Sequence, residues 1–149
     1  QDIEIWIESL KKINASPKKN DVNKYILALM QEGKALNEFP RDRKGLVQFL
    51  FASRLLNERL KNEKIDNIEK AMIYYQLGLC ELAIHSNMSV SQSNSYLEES
   101  MHLAPKSAFS KKAFVLYEEN VFFEYGGSAN ISIPKEETLR IESLRKLVN

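Results

Sequence analysis

A chain of 149 residues with 21 Lys+Arg, 20 Asp+Glu and two histidines carries a formal charge of +1. Its 44% hydrophobic and 28% charged residues are those of an ordinary globular domain, long enough for one core without disulfides or metal. Five Gly and four Pro exclude a collagenous or disordered chain, and no apolar run approaches the roughly 18–20 residues of a membrane span. Near-zero charge argues against nucleic acid or a membrane surface as the main partner. One cysteine, Cys80, leaves no internal disulfide. The chain opens at Gln1 on a short acidic stretch with no basic-then-apolar leader, as after a cleaved export signal or in a cytosolic fragment.

The dominant period is helical. Ile3, Trp6, Ile7, Leu10 and Ile13 recur at helical spacing, with Asp2 as a cap and Ser16-Pro17 as a stop. Val22, Tyr25, Ile26, Leu29, Gly33 and Leu36 mark a second helix, capped near Asn20-Asp21 and ended before Phe39-Pro40. A third runs from about Arg43 to Lys61. Its first half, Leu46 to Ala52, is apolar nearly all round, so it requires neighbours on several sides.

Asp66-x-x-Glu69 reads as a capping box, with Ile65 in the staple position. The fourth helix follows. Glu69, Lys70, Gln76 and Glu81 fall in one polar arc, and the rest of its surface, Cys80 included, is apolar. A Ser/Asn-rich loop precedes a fifth helix from about Val90 to Leu103, ended by Pro105. Ser107 caps a sixth, closed by Gly126-Gly127. Ala129 to Ile133 reads as extended or loop, and Pro134 opens a seventh helix. No paired strand pattern exists, so the expected fold is all-α: about seven helices in antiparallel pairs. The expected organisation is one domain, with a helix pair over 1–40, repeat-like helices over 41–125, and a linker with a capping helix over 126–149.

Tyr74-x2-Leu77-Gly78, followed by Ser93-x3-Leu97-x2-Ser100-x4-Pro105, resembles the tetratricopeptide repeat. Gly78 removes a side chain where the next helix lies close, Ser93 and Ser100 are small on the facing helix, and Leu97 fills the gap. The match covers Lys70 to Pro105, less than a third of the chain. It departs from the family at Glu81, where an aromatic is usual, in Ser for Ala, and in about three extra residues assigned to the Ser86–Ser91 loop. Ala108 to Glu119 echoes the pattern, with Val115 where Gly would sit. The tail from Phe122 to Gly127, with Ile133-Pro134 and a last amphipathic helix, is similar to the end of some exported bacterial tetratricopeptide proteins. This likeness implies a short solenoid and a periplasmic or envelope location, with the cytoplasm as the alternative.

The resemblance also implies a concave face lined by the first helix of each pair. On the fourth helix Tyr74, Leu77, Gly78 and Glu81 form the core spine, and Met72, Tyr75, Leu79 and Leu82 face the groove. Phe109, Lys112, Leu116 and Glu119 do so on the sixth. Such a groove suits an amphipathic helix or an extended apolar segment of a protein partner. It does not suit the acidic tails held by some tetratricopeptide co-chaperones, because Tyr75 and Leu79 stand where Lys, Asn or Arg is needed. Trp6 and the first helix are the expected internal occupants, should the groove be filled from within.

Catalysis finds little support. His85 and His102 read as surface residues near helix C-termini, in no metal-ligand spacing. Cys80 reads as a small buried hydrophobe. The paired acids Glu98-Glu99, Glu118-Glu119 and Glu136-Glu137 read as solvated helix faces. No catalytic residue, cofactor or metal is expected. Three functions are carried forward: a non-enzymatic adaptor, a self-assembling envelope protein whose terminal helices pair between copies, and a small-ligand carrier or enzyme using Tyr74-Tyr75 and Phe122-Phe123-Tyr125.

Overall fold

The computed structural model describes residues 1–15, 21–39, 42–85, 90–126 and 132–149. Among these residues the chain is all-α, with no strand: α1 (Asp2–Ala15), α2 (Val22–Leu36), α3 (Leu46–Leu60), α4 (Asn67–His85), α5 (Ser91–Leu103), α6 (Ala108–Tyr125) and α7 (Lys135–Val148). The Ser16-Pro17 stop, Pro40, the loop up to residue 89, Gly127 and the stretch from 129 to 131 lie outside the described residues.

The helix starts follow local chemistry. Asp21 Oδ1 accepts the Lys24 N–H at 3.1 Å, Ser107 Oγ accepts that of Ser110 at 3.1 Å, and Asp66 Oδ1 accepts that of Glu69 at 2.8 Å. Glu69 does not complete the expected capping box. Its carboxylate pairs with Arg59 of α3 instead. Asp2 is already helical rather than a cap, Val90 precedes α5, and Gly126 ends α6 with an ordinary φ of −88°.

The third helix starts three residues later than expected. Asp42 accepts the N–H groups of Glu38 at 2.8 Å and Lys44 at 3.2 Å, and Asn37 Oδ1 accepts that of Gly45 at 2.8 Å. These bonds hold the approach to α3 in a turn. The Glu38 N–H keeps the Asp42 carboxyl below its usual pKa.

From α2 onward each helix packs mainly on its sequence neighbours, with α4 also on α6 and α5 on α7, whereas α1 packs on α3. The apolar run of α3 therefore meets α1, α2 and α4, although Leu50 remains exposed. One core joins α2, α3 and α4 through Ile26, Leu29, Phe49, Leu56, Ile73 and Leu77. A second joins α5, α6 and α7 through Leu97, Met101, Tyr117, Val121, Ile141 and Leu144.

The α4–α5 crossing links the two cores. A Cβ on Gly78 would lie 2.8 Å from Leu97 Cδ2, so only glycine admits that leucine without displacement. Ser93 Oγ donates to Gly78 O at 2.9 Å and Ser100 Oγ to Ala71 O at 2.7 Å. The two small residues thus bind α5 to the backbone of α4 as well as making room for it. At the α2–α3 crossing a Cβ on Gly45 would lie 2.0 Å from Gly33 O, so backbone meets backbone there.

Candidate functional site

The buried residues of α4 are Ala71, Ile73, Gln76, Leu77, Gly78 and Cys80. This corrects the expected spine. Leu77 and Gly78 belong to it, whereas Tyr74 is half-buried against Tyr96 with ring centroids 6.1 Å apart. Glu81 is partly buried, with 17% of its side chain exposed and its Oε2 2.8 Å from His85 Nδ1. Gln76, assigned to the polar arc, is buried. The wide apolar surface of α4 surrounds that arc because α3, α5 and α6 approach it from different sides.

Between α4 and α6 lies an open depression of about 360 Å³, lined by Tyr75, Leu79, Lys111, Lys112, Val115, Leu116 and Glu119. Parallel rows make it: Tyr75 and Leu79 are one turn apart on α4, and Lys112, Leu116 and Glu119 follow one line of α6. Five of the eight expected groove residues, Tyr75, Leu79, Lys112, Leu116 and Glu119, therefore meet here. Phe109 stands beside them, its ring centroid 6.5 Å from that of Tyr75. Met72 and Leu82 do not line the depression, and Met72 packs against the α2–α4 core instead.

The floor is apolar and the ends are charged. Lys111 and Lys112 are exposed at one end, and exposed Glu119 closes the other. Burial raises the Tyr75 phenol pKa, and the nearby Glu119 carboxylate raises it further. Lys111 and Val115 lie outside the expected set. Val115 stands where the repeat pattern places a packing glycine, yet it is 55% exposed.

The first helix does not fill this depression. It lies on α3, where Ser9 Oγ accepts from Gln48 Nε2 at 2.9 Å, and on the turn before α3, where Trp6 Nε1 donates to Arg43 O at 2.7 Å. The Arg43 carbonyl also accepts the Leu46 N–H at 3.1 Å, so the indole donor takes its second lone pair.

The acid pairs are not simply solvated. Glu98 meets Arg140 at 2.9 Å, Glu118 meets Arg145 at 2.5 Å, and Glu137 accepts the Tyr117 hydroxyl at 2.6 Å. One member of each pair thus holds α7 to α5 or α6, while Glu99, Glu119 and Glu136 remain exposed. Adjacent residues splay by about 100° on a helix, so each pair supplies one carboxylate inward and one outward.

Among the described residues no three His, Cys, Asp or Glu side chains could hold a metal ion, and no helix is long and apolar enough to cross a membrane. Cys80 is fully buried, and burial followed by the neighbouring Glu81 pushes its thiol up to about 12. His85 and His102 are exposed. Phe122 and Phe123 are exposed on α6, and Tyr125 packs towards the α5–α7 core, away from the Tyr75 depression. Comparison with protein-family models, with characterised proteins and with solved structures finds no match.

Proposed function

We propose that the chain is a non-catalytic adaptor that receives a partner helix or peptide in the α4–α6 depression. The observation that carries this reading is the depression itself. Tyr75, Leu79, Val115 and Leu116 present an apolar strip, with lysines at one end and Glu119 at the other. An apolar strip with charged ends fits an amphipathic segment whose apolar residues recur at helical spacing. Tyr75 is the anchor, since an aromatic ring offers large contact area at small entropic cost. The stacking of α4 on α5 and α5 on α6, with α7 over the last pair, supports a tetratricopeptide-like solenoid as its scaffold. A periplasmic or envelope location belongs to the same proposal.

The test is selection of displayed amphipathic peptides on the native chain, followed by binding to Tyr75→Glu. Burying a carboxylate in an apolar groove should reduce binding at least about tenfold while circular dichroism stays unchanged. Equal binding to both chains would refute the groove.

A further inference from the structure

The outer face of α1 carries a second apolar stripe. Ile3, Ile7 and Leu10 are 65%, 47% and 40% exposed, although Ile5, Trp6, Ser9 and Ile13 turn α1 towards α3. Exposed Glu4 and Lys11 flank this stripe, one near each end. Along α1 the order is acid, apolar, base at Glu4, Ile7 and Lys11. Along α6 it is base, apolar, acid at Lys112, Val115 and Glu119. Both triplets have the spacing i, i+3, i+7, and both extend over about 10.5 Å of helix axis. Their charges are exchanged. Glu4, Lys11 and Lys112 enter no ion pair among the described residues.

We propose that the occupant of the α4–α6 depression is the α1 helix of a second copy of this chain. The proposal rests on reading that depression as a helix-binding groove, and it names the guest. Laid parallel to α6, the guest places Ile7 against Val115, Glu4 beside Lys112 and Lys11 beside Glu119. The reverse orientation would set like charges together at both ends, which disfavours it. The contact is heterologous, since groove and stripe lie on different parts of the molecule. Each added copy therefore leaves one groove and one stripe free, and assembly proceeds head to tail. Two helical turns make a small interface, so association is transient and salt-sensitive.

Sedimentation velocity of the full chain tests this. At low salt the weight-average sedimentation coefficient should rise between about 10 µM and 1 mM, a range fitting so small a contact. Ile7→Glu spoils the stripe and leaves the groove, whereas Tyr75→Glu does the reverse. Each should sediment as a monomer, and their mixture should form dimers and nothing larger. Glu4→Lys and Lys112→Glu should each weaken self-association about tenfold, and the double variant should regain it. A wild-type chain that stays monomeric to the top of that range overturns the proposal. So do single variants that still self-associate, or a mixture that fails to pair. If the monomeric wild type still binds the selected peptides through Tyr75, the guest assignment alone fails. If that binding is also missing, the groove reading fails with it.

Discussion

The two terminal helices have the same length and opposite roles. α7 turns Ile141, Leu144 and Val148 into the α5–α6 core and adds two ion pairs and a tyrosine hydrogen bond, leaving Leu139 as its exposed large apolar residue. α1 buries one small polar residue, Ser9, which bonds to Gln48 of α3, holds the turn before α3 through Trp6, and leaves three large aliphatic residues outside. A helix that caps a stack has to satisfy one face. A helix with a second apolar stripe retains capacity for contact.

Substitutions that treat the two ends alike should expose this asymmetry. The largest effect is expected from Leu144→Ala in α7. Leu144 is nearly fully buried, and its truncation should lower unfolding free energy by about 2–5 kcal/mol in urea titration. A loss below about 1 kcal/mol would mean that α7 does not share the core.

Next is the Tyr117 hydrogen bond. Tyr117→Phe should cost about 1 kcal/mol and leave Glu137 without that donor. It should also change the alkaline limb. Burial raises the Tyr117 phenol above its usual value of 10.0, and the bond to Glu137 raises it further. Above pH 10 the unfolded phenol therefore loses its proton while the folded one keeps it. Its contribution is full below that pH and is lost as pH rises. Stability measured against pH should fall less steeply in Tyr117→Phe. An identical slope would contradict the buried, proton-donating phenol.

A similar cost should arise at the other end with a more local consequence. Trp6→Phe removes the bond to Arg43 O, about 1 kcal/mol. Hydrogen exchange should speed up in α1 while α5–α7 stays protected. Uniform acceleration would mean that α1 is as integral as α7. Smallest of all, Ile7→Ala should change urea stability by no more than about 0.5 kcal/mol, because its side chain is half exposed. A larger loss would place Ile7 in the fold rather than on a free stripe.

Much of the fold is legible in the sequence because helix signals are local. Asp21, Asp66 and Ser107 cap helices through neighbours three residues away, and Gly78 with Leu97 announces a close crossing. The groove is legible in part, since the spacing of Tyr75 and Leu79 puts them on one side of α4. What periodicity does not carry is which neighbour covers a face. Trp6 reaches a carbonyl 37 positions away, and Arg140 a carboxylate 42 positions away, with no local pattern to mark either. Gln76 looks polar in sequence and is enclosed because three helices surround α4. Val115 looks like core and is exposed because α6 turns it into the depression.

The account is tested most directly by methyl NMR of the full chain during dilution. Methyl signals of Leu79, Val115 and Leu116 should move with concentration, together with those of Ile3, Ile7 and Leu10, following one binding curve, while Ile141 and Leu144 stay still. Concentration-independent spectra, or shifts centred on α7, would contradict it.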